Sequence, residues 1–238
     1  MLRRLVNFLL LACFCCASLT AWAATPQPVG TAYKQRYVNL VAAASCLGVY
    51  LPEEGHEFDY LRSFGWEITS QQVTQGKVET NFAVAKNYFP EQKKQFYLVT
   101  FRGSASKKDW MLNLRTERVN YGGATLAEME RIAAQPLDKE QPAVHSGFNS
   151  YVQTVLRTAV IDENGQWQGV FHDTLSNPEA YLILTGHSLG GAVATLLGER
   201  LVSLGFPKDK FTVVSFGAPA IGNQAFADTY GTSINLVR

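Results

Sequence analysis

The chain has 238 residues, of which 47% are hydrophobic and 17% are charged, and its formal net charge is +1. This composition is that of an ordinary globular protein, and the chain is long enough to bury one large core. No block of like charge occurs, so the sequence gives no indication of nucleic-acid binding, and it contains no visible repeat or low-complexity tract.

The first 23 residues have the features of a secretory signal peptide. A basic head at residues 1–4 precedes an apolar run over residues 5–19, and small residues at positions 21 and 23 flank a cleavage point. We therefore expect cleavage near Ala23, export to the periplasm or the medium, and a domain over residues 24–238. An uncleaved anchor is one alternative, although the apolar run is short for a membrane span. A lipid-modified Cys13 is another.

Cysteine usage is consistent with this interpretation. Three of the four cysteines lie in the leader, so the mature chain keeps only Cys46 and cannot form an internal disulfide. Cys46 lies on an apolar helical pattern, which predicts a buried small hydrophobic residue. Loss of Arg3 and Arg4 leaves 19 of the 21 basic residues against 20 acidic ones. The resulting net charge near −1 gives no attraction to anionic membranes.

The rest of the chain alternates between predicted helices and predicted strands. Helices are predicted over residues 33–47, 125–135, 148–156, 190–204 and 222–230, and strands over residues 80–89, 95–101, 180–184, 211–215 and 234–237. The helix at Thr125 begins with a capping box, Thr-x-x-Glu, and ends before Pro136. Strands that alternate with helices predict one domain with a parallel or mostly parallel sheet.

The most informative segment is Gly-His-Ser-Leu-Gly-Gly at residues 186–191. It lies between a predicted strand and a predicted helix, which is the context that the nucleophile elbow of an α/β-hydrolase requires. Ser188 would be the nucleophile, and the Leu189 N–H at the helix N-terminus would be one donor to the oxyanion. A second donor is expected in a loop after an earlier strand, where Gly103 and Ser104 follow residues 95–101. The alternatives are a glycine-rich turn and a polar turn without chemistry.

Five segments in order give the sequence a specific resemblance. They are Phe-Arg-Gly-Ser at 101–104, Asp-Trp at 109–110, Val-His-Ser-Gly-Phe at 144–148, Gly-His-Ser-Leu-Gly-Gly-Ala at 186–192, and Ser-Phe-Gly-Ala-Pro at 215–219 with Gly-Asn at 222–223. The chain resembles the class 3, fungal-type lipases of the α/β-hydrolase superfamily. The resemblance implies an α/β-hydrolase fold with a mostly parallel sheet flanked by helices. It also implies a serine lipase or esterase that acts on acylglycerols and needs no metal or cofactor. Ser188 matches the nucleophile, and Ser104 and Leu189 match the oxyanion hole.

The same resemblance places a short amphipathic lid after the oxyanion loop. Residues 106–109 form a second capping box, and Trp110 and Leu114 share one face of the helix that follows. A lid of this kind opens at a lipid interface. Lys107 and Lys108 make its start polar, so a fixed surface helix is the alternative.

Two members of the expected catalytic triad are missing from the positions that the family order assigns to them. That order is Ser, Asp, His, and both the Asp and the His would fall beyond Arg238, so we expect a domain that is incomplete at its C-terminus. All four histidines (His56, His145, His172 and His187) precede Ser188. His145 is expected to be structural, with a substitute base as the alternative, and Asp228 matches no family acid. The competing function is a non-catalytic remnant that binds lipid or another partner. Substrate choice, acyl-chain preference and oligomeric state stay open.

Overall fold

The computed structural model describes residues 29–50, 58–75, 78–104 and 117–238. The expected leader, His56 and the expected lid with Trp110 and Leu114 lie outside these residues. The chain divides into two compact units, Met1–Val38 and Asn39–Arg238. The described part of the first unit is the N-terminal half of one helix, and the fold and the site described below belong to the second unit.

The described residues contain seven α-helices and eight strands. The helices are α1 (Val29–Gly48), α2 (Asp59–Ser63), α3 (Leu126–Ala133), α4 (Ser146–Val155), α5 (Gly169–Ser176), α6 (Leu189–Ser203) and α7 (Gln224–Tyr230). The strands are β1 (Glu67–Gln75), β2 (Val78–Phe89), β3 (Lys94–Phe101), β4 (Arg118–Asn120), β5 (Ala143–His145), β6 (Ala180–His187), β7 (Phe211–Phe216) and β8 (Leu236–Val237). Among these helices, none has both the length and the hydropathy that a membrane span requires.

Six of the strands form one sheet, in the order β1-β2-β3-β6-β7-β8. β2 pairs antiparallel with both β1 and β3, whereas β3, β6, β7 and β8 run parallel to one another. β4 and β5 form a separate antiparallel pair. The predicted mostly parallel sheet flanked by helices is therefore confirmed, and β3 and β6 bring their carboxyl ends to the same edge of the sheet.

The middle of the sheet is held by apolar burial on both of its faces. Leu182 and Ile183, which are consecutive on β6 and point to opposite faces, and Val213 on β7 are fully buried, and most of α6 is buried as well. Strands of a parallel sheet are covered on both faces and therefore read as near-continuous apolar runs. Each such side chain contributes about 2 kcal/mol through removal of apolar surface from water. The strand that leads to Ser188 is thus among the most firmly packed parts of the protein.

The capping box predicted at Thr125 is present at the start of α3. The Thr125 hydroxyl accepts a hydrogen bond from the Glu128 N–H at 3.2 Å, and the Glu128 carboxylate accepts one from the Ala124 N–H at 2.9 Å. These bonds satisfy donors that the first turn of a helix leaves unpaired. The predicted end of the helix before Pro136 is confirmed as well.

The predicted amphipathic helix is α4, and a π-helical turn over Leu156–Val160 continues it. Its buried face includes Tyr151, whose hydroxyl donates to the Asn81 carbonyl at 2.8 Å and accepts from the Asn81 N–H at 2.9 Å. Tyr151 therefore ties α4 to β2 through backbone groups.

Arg200 on α6 is a fully buried cation. Its Nη1 donates to the Gly122 carbonyl at 2.9 Å, and its guanidinium carbon lies 3.5 Å from the centre of the Tyr121 ring. Its Nε and Nη2 atoms have no hydrogen-bond partner within the described ranges. Burial lowers the pKa of Arg200 to about 10. The segment before α3 thus supplies the groups that stabilise this charge.

Five of these helices and strands were not predicted, namely α2, α5, β1, β4 and β5. Residues 67–75 form β1 at the sheet edge, and most of their described side chains are exposed. A half-solvated edge strand needs few apolar side chains, so its apolar pattern is weak. β4 and β5 have only three residues each, which is too short for a periodicity to be visible.

Candidate active site

Ser188 occupies the turn between β6 and α6, as the sequence predicts. β6 ends at His187 and α6 begins at Leu189, so the turn consists of this one residue. Its backbone has φ +56° and ψ −123°. A residue other than glycine with these φ and ψ values costs roughly 1–3 kcal/mol of conformational strain, and such strain is concentrated at functional sites. Ser188 therefore has the strained strand-to-helix conformation that is typical of a nucleophile elbow.

The two glycines around Ser188 serve close packing rather than an unusual φ. A Cβ on Gly186 would overlap the backbone of Gly190 and lie 2.7 Å from the Gly191 nitrogen. A Cβ on Gly190 would overlap the carbonyl oxygen of Phe101 on β3. The positive φ falls on Ser188 itself, so the glycines let the turn press against its own helix and the neighbouring strand.

Backbone hydrogen bonds hold the strained residue in place. The Ser188 N–H donates to the Phe216 carbonyl at 2.8 Å, which ties the turn to the end of β7. The Ser188 carbonyl accepts from the N–H groups of Gly191 at 3.0 Å and Ala192 at 3.2 Å. Ser188 is half-buried, and within the described residues its hydroxyl takes part in no hydrogen bond.

The predicted oxyanion loop lies beside this turn. In the parallel register of β3 and β6, Phe101 is the partner of Gly186, so residues 102–104 leave the sheet next to Ser188. A Cβ on Gly103 would lie 2.6 Å from the His187 carbonyl oxygen. Ser104 is half-buried in the same loop. The structure therefore brings the two candidate donor segments together, and the roles of Ser104 and Leu189 as donors stay predictions.

The hydrogen bonds of the described histidines are made with groups other than the Ser188 hydroxyl, and His145 Nε2 is buried without a partner among the described residues. The Nδ1 of His145 accepts the Gly147 N–H at 3.1 Å, and the ring stacks on Phe148 with 4.3 Å between centroids. His145 thus caps the start of α4, which fits the structural role expected for it. His172 is exposed and contacts Asp173 and Ser176.

The side chain of His187 contacts Tyr50. Its Nδ1 lies 3.2 Å from the hydroxyl of Tyr50, and burial lowers the pKa of the imidazole. Tyr50 follows the end of α1, and no sequence pattern marks it as part of the site. Because Tyr50 and His187 are 137 positions apart, no local sequence pattern indicates that they are in contact.

The acidic groups close to Ser188 in sequence offer no triad partner. Asp228 lies on α7, is exposed, and accepts a hydrogen bond from Gln224 at 2.7 Å. Within the described part of the chain, no cluster of His, Cys, Asp and Glu side chains has the arrangement of a metal site.

Cys46 is buried, as predicted. Its Sγ lies 3.5 Å from the hydroxyl of Thr185 on β6. Burial raises the pKa of the Cys46 thiol to about 12. Because the thiolate is the reactive form, we expect iodoacetamide at pH 8 to alkylate Cys46 about 10³-fold more slowly in the folded protein than in concentrated urea. Mass spectrometry of the Cys46 peptide measures both rates, and equal rates would contradict the burial of this thiol.

The sequence profile of the family described as lipase (class 3) matches residues 98–238. The chain belongs to the class 3 lipase family. Two curated relatives support this assignment: a secreted mono- and diacylglycerol lipase of Fusarium solani, 28% identical over 162 residues that cover 68% of this chain and 41% of the relative, and a lipase of Rhizomucor miehei, 31% identical over 155 residues that cover 63% and 35%. The class 3 lipase chain spans less than half of the length of the curated relatives it matches.

Solved structures of class 3 lipases share the fold. Lipase II of Rhizopus niveus aligns with a TM-score of 0.59 at 21% identity, over 87% of this chain and 70% of the other. The triacylglyceride lipase of Rhizomucor miehei aligns with a TM-score of 0.57 at 21% identity, over 89% and 71%. These likenesses support the α/β-hydrolase fold.

Proposed function

We propose that this protein is an exported serine lipase or esterase that hydrolyses acyl-ester bonds of lipids, of the triacylglycerol type, with Ser188 as nucleophile. The observation that carries the proposal is the backbone of Ser188, at φ +56° between the end of a buried strand and the start of a helix. This conformation lifts a serine hydroxyl clear of the main chain, where a substrate carbonyl can reach it.

The surroundings of Ser188 support an acyl-transfer site. The N-terminus of α6, a helix of 15 residues, favours the negative charge that develops on a carbonyl oxygen under attack. In the proposed arrangement the N–H groups of Leu189 and Ser104 donate to that oxygen from opposite sides. Such donors act at the moment when the charge forms, so they stabilise the transition state more than the substrate. This chemistry needs neither a metal nor a cofactor.

The substrate class and the site of action are inferred from the relatives. The Fusarium solani relative is named a secreted mono- and diacylglycerol lipase, and an Arabidopsis thaliana relative is named a phospholipase A1. Their common chemistry is the hydrolysis of a glycerol ester. Export fits the leader pattern that ends near Ala23, and Trp110 and Leu114 would form a lid at a lipid interface.

A non-catalytic protein that binds lipid is the competing function. It is favoured by one observation, namely that no described histidine contacts the Ser188 hydroxyl. The two functions differ in whether Ser188 can form a covalent acyl-type adduct.

Reaction with a p-nitrophenyl alkylphosphonate tests this difference. In the serine hydrolase, the Ser188 oxygen bonds to phosphorus and p-nitrophenolate leaves, so we expect a slow release of one equivalent and an adduct on the peptide that contains Ser188. Ser188→Ala is expected to abolish both signals. Ser150→Ala removes an exposed hydroxyl on α4 and is the matched control. An adduct on another residue, or none after prolonged incubation, would exclude the proposed nucleophile.

A further inference from the structure

Tyr50 makes contacts with both halves of the proposed site. Its hydroxyl lies 3.2 Å from His187 Nδ1 and 3.3 Å from the His187 carbonyl oxygen, at the residue that precedes Ser188. The same hydroxyl packs on Gly103, where a Cβ would overlap it, and it receives a hydrogen bond from the Gly103 backbone. One side-chain atom therefore touches the loop before Ser104 and the turn before Ser188.

Gly103 packs against two oxygen atoms. A Cβ on Gly103 would overlap the Tyr50 hydroxyl and lie 2.6 Å from the His187 carbonyl oxygen, so both oxygens lie where a side chain would stand. The loop cannot shift toward these oxygens without a clash, and a shift away from them loses both contacts. Because an oxyanion hole depends on donors placed to within a few tenths of an ångström, this restraint acts where precision matters.

The protonation state of Tyr50 suits this role. Burial raises the pKa of the Tyr50 phenol well above its usual range, so the hydroxyl keeps its proton at neutral pH. It can therefore donate to His187 while it accepts from Gly103, which an ionised phenolate could not do. Burial lowers the pKa of His187, which favours the neutral imidazole, and the tautomer protonated on Nε2 would offer Nδ1 as the acceptor.

We propose that Tyr50 is a positioning residue that fixes residues 102–104 against the Ser188 turn and thereby sets the geometry of the oxyanion hole. This inference rests on the proposed function, because it assigns Tyr50 to the same site. It predicts that loss of one hydroxyl, 137 positions from His187 in the sequence, impairs stabilisation of the transition state while substrate binding is unchanged.

Tyr50→Phe tests the proposal, because it removes the hydroxyl and keeps the ring. The phosphonylation of Ser188 is measured over a range of p-nitrophenyl alkylphosphonate concentrations, which separates the saturated rate from the half-saturating concentration. We expect the saturated rate to fall about tenfold and the half-saturating concentration to stay unchanged. Amide hydrogen exchange of Gly103 and Ser104 is expected to become about tenfold faster.

Tyr121→Phe is the matched control. Tyr121 is also a buried tyrosine, but it packs on Arg200, and its hydroxyl has no hydrogen-bond partner within the described residues. This variant is expected to keep the wild-type phosphonylation rate and the wild-type exchange at Gly103 and Ser104. Equal effects of the two substitutions would overturn the positioning role and indicate a general loss of stability.

The outcomes separate this inference from the proposed function. Wild-type values for Tyr50→Phe in both measurements would overturn the role of Tyr50 and leave Ser188 as the nucleophile. If the wild-type protein forms no adduct at all, the proposed function fails, and hydrogen exchange at Gly103 and Ser104 still decides whether Tyr50 fixes the loop.

Discussion

Gly190→Ala is expected to lower the free energy of unfolding by at least about 2 kcal/mol. The new Cβ would overlap the Phe101 carbonyl oxygen and lie 2.8 Å from the Phe101 carbonyl carbon. Both are backbone atoms of β3, a central strand, so neither can rotate away as a flexible side chain would. The clash must therefore push α6 from the sheet or distort the Ser188 turn. Urea denaturation followed by tryptophan fluorescence gives the change in midpoint.

Gly122→Ala is the matched control for this substitution. A Cβ on Gly122 would meet Ile132 at 3.5 Å and the Tyr230 hydroxyl at 3.9 Å, which are ordinary contact distances. We expect its unfolding midpoint to stay close to that of the wild type. If Gly190→Ala matched Gly122→Ala, the packing of the turn against β3 would not be as tight as described.

The turnover of esters by the 238-residue chain is expected to be at least about 10³-fold slower than that of Rhizomucor miehei lipase on the same p-nitrophenyl ester. Ser188 at its ordinary pKa is a weak nucleophile unless a base takes its proton. His145, His172 and His187 each contact other groups. What remains is the contribution of the oxyanion hole and of substrate binding. Steady-state release of p-nitrophenolate measures the rate.

The opposite result would identify a base within these residues. Fast turnover that Ser188→Ala abolishes would mean that a histidine of this chain serves Ser188. His145→Ala and His56→Ala would then show which one, with His172→Ala as the control at an exposed position. Circular dichroism of each variant checks that the fold is retained.

The parts of the fold that the sequence predicts are those with long periodic patterns. α4 and α6 each carry a buried pattern of ten or more positions, β6 begins with the unbroken apolar run 180–184, and β7 is mostly apolar. β1 carries no comparable signal. Its pairing with β2 over nine residues relies on backbone hydrogen bonds, which do not depend on side-chain type.

The candidate site also contains residues that the sequence predicts and one that it does not. Ser188 and residues 101–104 are predictable because the motif, the glycines and the flanking strands are local in sequence. Tyr50 is not, because its role depends on contacts with Gly103 and His187 that only the folded chain creates. The sequence pattern does not show that the glycines of the motif allow close packing while Ser188 itself adopts the strained conformation.

Separation of residues 121–123 from α6 would take from Arg200 both its backbone acceptor and the aromatic face beside it, while the guanidinium stayed inside the core. Glu199 would still lie beside the cation, but loss of a hydrogen-bond acceptor by a buried charge costs several kcal/mol, a sizeable part of the roughly 5–15 kcal/mol that stabilises a typical domain. We therefore expect this partly buried segment to unfold together with the helix that follows Ser188, so that the two form a single cooperative unit.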